Sequence, residues 1–233
     1  MAIPKKIHYV WVGGKEKPKN IKKCMKTWKK YLKDYEVIEW NEKNFDINAH
    51  PFCKKAYEEK KWAFVSDYIR AYVIYNQGGI YFDTDILVVD SIEPLFENKA
   101  FVGFENDTHP FTAVFGAEKG HPLIKDMLDY YDNVNMDFKF EDNNTISVSN
   151  LLIEKYGCEL GNKEQMLKED IKVYPSGVLC NPSNKSKTIH IFTGTWLEET
   201  KKWKRKLNEF IRINLTNKFL IKLYLKLNGK KEN

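Results

Sequence analysis

The amino-acid sequence predicts an α/β protein in which strands and helices alternate along the chain, so that helices cover both faces of one sheet. Three observations lead to this class. The chain has 233 residues, of which 42% are apolar and 14% aromatic, enough for one sizeable core. Short apolar runs alternate with stretches of helical periodicity. A change of composition near residue 200 separates a domain, residues 1–200, from a basic tail, residues 201–233.

The first half of the domain contains the longest predicted elements. Apolar runs predict strands, and helical spacing of apolar residues predicts helices. The strands are predicted at Ile7–Val12, Tyr35–Trp40 and Ile80–Phe82, and the helices at Pro18–Leu32 and Ala56–Gln77. Gly13 and Gly14 end the first strand in a loop where the backbone can come close to a ligand. Gly78 and Gly79 end the longest helix.

The second half has shorter elements and one irregular segment. Strands are predicted at Ile86–Val89, Phe101–Phe104, Val114–Ala117, Val173–Pro175 and Thr188–Phe192, and helices at His121–Tyr131 and Val148–Tyr156. The polar residues 133–149 have no clear pattern and predict a loop-rich excursion on the side where a substrate would enter.

The charge of the chain is concentrated at its C-terminal end. The formal charge is +6, but residues 201–233 contain eleven Lys and Arg against two Glu and carry +9, so residues 1–200 carry −3. A basic total alone would suggest nucleic acid as a partner. Because the basic character belongs to the tail, we do not expect the domain to bind nucleic acid.

Cysteine spacing and hydropathy predict the cellular compartment. The four cysteines lie far apart without a C-x-x-C pair, which predicts buried free thiols rather than a zinc site or a disulfide framework. The N-terminus lacks the succession of residues typical of a secretory signal, and no stretch approaches the ~18 apolar residues of a membrane span. We therefore expect a cytoplasmic protein.

The segment from Gly78 to Asp85 predicts a metal site. Asp83 and Asp85 follow an apolar run, and side chains two residues apart on a strand point to the same side. Mg²⁺ and Mn²⁺ prefer carboxylate and phosphate oxygens and leave positions open for substrate phosphates. The pair therefore predicts a divalent cation beneath a diphosphate, although two aspartates at this spacing are more often solvated residues at a strand end.

Polar residues in the longest helix are candidates for substrate binding. Asp67 and Arg70 are three residues apart and so share a helix face. They could form an ordinary surface ion pair worth a few tenths of a kcal/mol. Because their helix leads directly into the strand before Asp83, we also expect Arg70 to donate to sugar hydroxyls or phosphate and Asp67 to accept from sugar hydroxyls. Ser66 is a weaker polar neighbour.

Two further segments carry candidate ligands. Trp11, beside Gly13, could stack on a nucleotide base or belong to the core. Near the other end, His190 is a candidate metal ligand, and Thr195 and Trp196 could close a loop over a diphosphate. Each of these residues alone would more often be structural.

Taken together, these motifs resemble glycosyltransferase family 32, the D-x-D sugar transferases, and more distantly the large clostridial glucosylating toxins. The matching segments are residues 3–13, 63–70, 78–85 and 116–122, followed by His190 and the Thr195-Trp196 pair. The resemblance implies a GT-A fold, Rossmann-like and with a mixed central sheet, for residues 1–200. It also implies Mn²⁺ or Mg²⁺ dependence, a nucleotide-diphosphate sugar as donor, most simply a UDP-sugar, and retention of anomeric configuration.

The same resemblance assigns roles to residues. It implies that Asp67, Arg70, Asp83 and Asp85 are catalytic. The donor would contact Trp11, Gly13, Ser66, Asp67, Arg70, Tyr81, Asp83, Thr195 and Trp196, and the metal would be held by Asp83, Asp85 and His190. Thr195 stands where Ser is usual and keeps the hydroxyl. Residues 109–113 and 142–150 lack the Asn- and Gly-Pro-containing pieces of the family, so the sugar is left open.

The tail resembles an interfacial helix. Lys and Arg alternate with apolar residues at helical intervals over residues 201–227. Such a helix can dock on anionic lipid, which would place the enzyme on the inner face of the plasma membrane and suit a glycan or lipid-linked oligosaccharide acceptor in surface or capsular polysaccharide synthesis. Packing of its apolar face against the domain is the alternative, and both can hold for different turns.

Two other functions remain open at this point. In a phosphohydrolase, Asp83 would be the nucleophile and Asp85 the general acid, but no second paired-aspartate motif supports this. In a non-catalytic lipid- or glycan-binding module, the tail would be the main functional element.

Overall fold

The computed structural model describes residues 3–134, 136–138, 143–193 and 202–228. The strands are β1 Lys6–Val10, β2 Glu36–Trp40, β3 Gly79–Phe82, β4 Ile86–Val88, β5 Ala100–Gly103, β6 Val114–Ala117, β7 Gln165–Leu167, β8 Ile171–Tyr174 and β9 Thr188–His190. The helices are α1 Lys19–Tyr31, α2 Pro51–Glu58, α3 Trp62–Gln77, α4 Pro122–Asn133, α5 Asn144–Glu154, α6 Ser176–Leu179, α7 Lys202–Arg212 and α8 Lys218–Leu227.

Seven strands form a mixed central sheet in the order β2-β1-β3-β6-β5-β8-β7. β1 runs parallel to β2 and β3, whereas β6 is antiparallel to both β3 and β5. β4 and β9 form a separate antiparallel pair beside the sheet. Because β1 and β3 are parallel neighbours, their carboxyl ends open at the same edge, which is where ligands bind in open α/β sheets.

The strand residues alternate between two core regions, one on each face of the sheet. Tyr81 points into the region formed with α2, α3, α4 and α5. Ile80 and Phe82 point into the other region, where they meet Trp28 of α1. The alternation is the ordinary period of two in a strand, and it leaves Asp83 at the open edge where the strand ends.

The close approach of β3 to β1 requires a glycine. Gly79 has φ of +108°, and a Cβ there would lie 2.8 Å from the carbonyl oxygen of Lys6 and 2.9 Å from Nε2 of His8. That imidazole is buried and hydrogen-bonds to the carbonyl oxygen of Gly78 at 3.0 Å, with Trp40 donating to its other nitrogen. The Gly78-Gly79 pair thus joins α3 to β3 and sets the position of β3 and of Asp83 at its end.

The structure corrects several predicted boundaries. The predicted helix Ala56–Gln77 is two helices, because Lys60 adopts a left-handed φ of +59° and turns the chain between α2 and α3. The helix predicted at Val148 begins earlier, at Asn144, with Asn143 as its N-cap. The predictions missed β7 and α6, since both are only three or four residues long.

The tail forms two helices rather than one. Between α7 and α8 the chain turns at Ile213–Asn217, and the Asn217 side chain caps α8. A third core region contains Cys24, Leu87, Val89, Ile189, Ile191, Ile213, Leu215, Ile221 and Leu225. The inward face of α8 therefore packs on the β4–β9 pair. All four cysteines are free and buried, as the spacing predicted.

Candidate active site

The candidate site is formed where the carboxyl-terminal ends of β1, β3 and β5 lie next to the end of the β4–β9 pair. Trp11 follows β1 and Asp83 follows β3, which are parallel neighbours. Glu105 lies two residues beyond β5. His190 closes β9, where it is paired with Ile86 at the start of β4. The connection between β3 and β4 consists of Asp83, Thr84 and Asp85, so the two aspartates lie on a turn and not on a strand as predicted.

Asp85 is a buried carboxylate with its partners already in place. Its Oδ2 accepts from the backbone N–H of Thr193 at 2.9 Å and from the Thr193 hydroxyl at 3.0 Å, and its Oδ1 lies 3.2 Å from Nε2 of His190. Burial alone would raise the pKa of Asp85, but His190 and Thr193 outweigh it and lower this pKa to about 2. Burial would lower the pKa of His190, yet the Asp85 carboxylate holds it well above its ordinary value.

Asp83, Asp85 and His190 form one cluster of potential metal ligands. One ligand atom from each lies within 4.8 Å of the other two, so one cation can contact all three. Two carboxylates and one imidazole are a donor set that suits Mn²⁺, whereas Mg²⁺ favours oxygen alone. The residues present therefore fit the divalent cation that the sequence predicted. Asp83 is the more accessible carboxylate, with 27% of its side chain exposed.

Arg70 is the centre of a buried polar network beside this cluster. Its Nη2 lies 3.1 Å from Oδ1 of Asp67, 3.0 Å from Oδ1 of Asp83 and 3.0 Å from the Ser66 hydroxyl. The guanidinium also lies over the ring of Tyr81, 4.6 Å from its centroid. Only 9% of the Arg70 side chain and 8% of the Asp67 side chain are exposed, so this pair is not the surface ion pair of the alternative interpretation.

The environment of Asp67 disfavours its charge. Burial raises the pKa of its carboxyl to about 6, although the neighbouring Arg70 opposes that shift. The nearby Asp83 raises it further, and the backbone N–H of Asn144 donates a hydrogen bond that lowers it. Burial likewise raises the pKa of Tyr81 well above its ordinary value, and this tyrosine hydrogen-bonds to Asp83. The site holds two close carboxylates around one arginine.

The predicted base-binding residues lie on the loop after β1. Trp11 is half-buried; its indole N–H donates to the carbonyl oxygen of Lys15 at 2.6 Å, and its ring packs at the border of the core. The backbone N–H of Gly13 donates to Glu42 at 2.6 Å. A Cβ at Gly13 would lie 2.9 Å from the Trp62 ring, so glycine is required by this close packing.

Three residues at the site were not predicted from the sequence. Glu105 is partly buried, and burial raises the pKa of its carboxyl, with His190 opposing the shift. Asn144 is buried at the start of α5; its amide donates to the Tyr131 hydroxyl at 2.9 Å and its Oδ1 has no partner among the described residues. Thr193 binds Asp85 through both backbone and hydroxyl. Glu105 and Asn144 belong to no recognisable motif, and only the fold brings them here. Thr193 lies three residues after His190, in the segment that also carries Thr195 and Trp196, but its contact with Asp85 was not predicted.

The structure assembles most of the predicted residues in one place. Contacts of Arg70 connect it to Ser66, Asp67, Tyr81 and Asp83. Asp85 and His190 contact each other and lie beside Asp83 in the cluster of potential metal ligands. Thr195 and Trp196 lie outside the described residues, so the loop predicted over a diphosphate stays a prediction.

Comparison with known proteins finds a family model that matches the central region of the chain. Residues 18–102 match the family model described as a glycosyltransferase sugar-binding region containing a DXD motif. This range includes α3 and the Asp83–Asp85 turn, so the resemblance to D-x-D sugar transferases is confirmed for it. The finer assignment to family 32 and the likeness to the clostridial toxins stay predictions.

Two curated relatives share part of the chain. Inositol phosphoceramide mannosyltransferase 3 of Schizosaccharomyces pombe is 28% identical over 127 residues, covering 53% of this chain and 35% of that protein. Subversion of eukaryotic traffic protein A of Legionella pneumophila is 30% identical, covering 36% of this chain and 17% of that protein. The chain thus spans about a third and about a sixth of the length of these relatives.

A solved structure supports the fold. The PaToxG glycosyltransferase superposes with a TM-score of 0.52 at 23% identity, covering 65% of this chain and 68% of that one. At this identity the similarity concerns the fold alone. The predicted class, an α/β GT-A fold with a mixed central sheet, is confirmed.

Proposed function

We propose that this chain, a glycosyltransferase by the region it carries, moves a hexose from a nucleotide-diphosphate sugar to a glycan or lipid-linked oligosaccharide. The observation that carries this proposal is the joint cluster of Asp83, Asp85 and His190 beside Arg70. A cation site next to a buried guanidinium is suited to a diphosphate, because the leaving group of the reaction gains negative charge as the sugar departs.

Each residue of the cluster has its own part in this proposal. Asp83, Asp85 and His190 would hold a divalent cation, preferentially Mn²⁺, which as a Lewis acid stabilises charge on the leaving diphosphate. Arg70 donates hydrogen bonds to the nucleotide sugar. Its guanidinium is held in position by the Ser66 hydroxyl and by the ring of Tyr81. Because Asp83 pairs with Arg70, a bound donor also finds its charged neighbours already oriented, and this saves reorganisation at the moment of reaction.

Further contacts to the donor come from the ends of other elements. Asp67 accepts from sugar hydroxyls, Trp11 stacks on the base, which we propose is uracil, and Gly13 lets the loop after β1 approach it. The reaction retains the anomeric configuration: the acceptor hydroxyl attacks the anomeric carbon on the face from which the diphosphate leaves, the bond from that carbon to the diphosphate breaks, and the leaving phosphate takes the hydroxyl proton. The acceptor belongs to surface polysaccharide synthesis in this proposal.

Donor hydrolysis tests the proposed function. A panel of nucleotide sugars is incubated with the protein in Mn²⁺, and the release of nucleoside diphosphate is measured. Release from one donor, abolished by a chelator and restored by Mn²⁺, supports transfer. Phosphate released from a monoester would instead support a phosphohydrolase using Asp83 as nucleophile. Neither product, together with retained binding to glycans or vesicles, would support a non-catalytic module.

We further propose that the C-terminal helices dock on an anionic membrane surface. In α7, the exposed residues Trp203, Leu207 and Phe210 recur at helical spacing, and in α8 so do Phe219, Leu223 and Leu227. The opposite face of α8 is buried in the third core region, so these outward residues are a second apolar face. Basic residues surround both stripes, which suits anionic lipid. Among the described residues, no helix is both long and apolar enough to cross a bilayer.

The structure determines how membrane docking is tested. Deleting the tail would expose the third core region, so point substitutions are the better test. Trp203, Phe210 and Phe219 are replaced together by Ser, and a matched variant carries Ser at the exposed Leu160 and Met166 of the domain. The wild type and the matched variant should sediment with phosphatidylglycerol vesicles, whereas the triple variant should stay in the supernatant. Equal sedimentation of all three would contradict the proposal.

A further inference from the structure

We infer that Arg212, in the last turn of α7, is a positioning residue for the metal site. Its Nη1 donates to the carbonyl oxygen of His190 at 2.7 Å and to that of Cys180 at 3.2 Å, and its Nη2 donates to Oδ1 of Asn181 at 2.7 Å. One guanidinium therefore ties the residue that carries the imidazole ligand to the segment that follows α6. This inference rests on the proposed function, since it concerns one of the proposed metal ligands.

The backbone of His190 is held on both sides. Its N–H donates to the same Cys180 carbonyl oxygen at 2.9 Å, while its own carbonyl oxygen receives the Arg212 bond. His190 is the last residue of β9, and one further backbone bond, from the N–H of Ile191 to the carbonyl oxygen of Asp85 at 3.1 Å, continues the ladder beyond it. Arg212 adds a side-chain constraint on the His190 carbonyl at this end of the ladder.

Phe192 extends this constraint toward Asp85. The guanidinium of Arg212 lies over the Phe192 ring, 4.9 Å from its centroid, and the centroid of the His190 imidazole is 4.0 Å from the same ring centroid. Phe192 has a left-handed φ of +55°, a backbone conformation that is unfavourable for a residue with a side chain. Such a conformation persists where surrounding contacts fix it. The next residue, Thr193, donates both of its hydrogen bonds to Asp85.

The chemistry of arginine suits this role and that of lysine does not. The planar fork reaches four separate acceptors, including Oδ1 of Asn208 at 3.3 Å from Nε, and a ring face at once, whereas an ammonium is a compact point charge. Among the described residues, no carboxylate forms an ion pair with Arg212, so its acceptors are backbone and amide oxygens. Arg212 therefore sets the geometry of the His190–Thr193 segment, and through it both His190 and Asp85, without touching the cation site itself.

Manganese binding tests this inference without relying on activity. Arg212→Lys and Arg212→Ala are compared with Lys206→Ala, which removes an exposed charge from the same helix. Mn²⁺ affinity is measured from the EPR signal of the free ion. Each variant is first shown to be folded, by a cooperative unfolding transition in urea in the presence of a chelator. Loss of residues that orient metal ligands typically weakens affinity 10–100-fold. We expect a loss in this range for Arg212→Ala, a smaller one for Arg212→Lys, and wild-type affinity for Lys206→Ala.

The outcomes separate this inference from the proposed function. Wild-type Mn²⁺ affinity in both folded Arg212 variants would overturn the inference and leave the proposed metal site intact. If Arg212→Ala does not fold, the Lys variant decides, because it keeps the charge and loses the fork. Absence of Mn²⁺ binding in the wild type would overturn the metal site, and the role of Arg212 with it.

Discussion

Replacement of Asp67 by Asn should make the protein more stable and less active. The pKa of Asp67, raised by burial to about 6, exceeds the ordinary value of 3.8 even with Arg70 3.1 Å away. The folded state therefore binds a proton at Asp67 more tightly than the unfolded state does. A difference of about two pKa units corresponds to about 3 kcal/mol, which is the cost of carrying the ionised group at neutral pH. Asn has nearly the same shape and no charge, so it avoids that cost.

The sign of the pH dependence follows from the direction of the shift. A raised pKa contributes stability that is complete below about pH 4 and is lost as the pH rises through about 6. The amide introduced by Asp67→Asn does not titrate. The difference in unfolding free energy between Asp67→Asn and wild type should therefore be near zero at pH 3 and about 3 kcal/mol at pH 7.5 in favour of the variant.

Urea unfolding in chelator at several pH values measures this difference. Asp107→Asn, at an exposed position, is the matched control and should show no pH-dependent gain. Donor hydrolysis by Asp67→Asn should fall, because a neutral amide is a weaker acceptor for sugar hydroxyls. A variant less stable than wild type at pH 7.5 would mean that the pair with Arg70 outweighs burial, and the reasoning would be wrong.

The metal ligands, the buried arginine and the glycine between α3 and β3 each give a further prediction. Asp83→Asn and Asp85→Asn should each abolish Mn²⁺ binding measured by calorimetry and reduce donor hydrolysis by at least ~10²-fold. Unchanged Mn²⁺ binding in both variants would contradict the proposed metal site. Arg70→Lys should keep the fold, as near-ultraviolet circular dichroism can show, yet lower kcat by ~10²-fold because the fork that meets Asp83 is lost; kcat within about threefold of wild type would refute this. Gly79→Ala should lower the free energy of unfolding, measured in urea, by at least about 2 kcal/mol, because Gly79 has a left-handed φ and the added Cβ would lie 2.8 Å from the Lys6 carbonyl oxygen. A smaller loss would show that β1 can move away from the added methyl group.

Much of the fold could be predicted from sequence because its core elements are strongly patterned. Apolar runs identified β1, β2 and β3, and paired glycines marked the end of α3. The D-x-D sugar-binding region found by the family comparison contains Asp67, Arg70 and the Asp83–Asp85 turn, as the sequence motifs predicted. These residues lie close together in sequence, so a single local sequence pattern was enough to predict all of them.

What could not be predicted depends on contacts distant in sequence. The division of the predicted helix at Lys60 results from a left-handed residue that composition does not reveal. Glu105 and Asn144 reach the site only because the sheet order and α5 bring them there. Arg212 appears in the sequence as one more basic residue of an amphipathic tail, and its three acceptors outside α7 lie 22 to 32 residues away.

The most direct test of the account is a crystal structure of the protein with Mn²⁺ and UDP, recorded near the manganese absorption edge. The account predicts one strong anomalous peak in contact with Asp83, Asp85 and His190, with the diphosphate on its open side next to Arg70. A peak elsewhere, or UDP bound away from these residues with no peak among them, would contradict it.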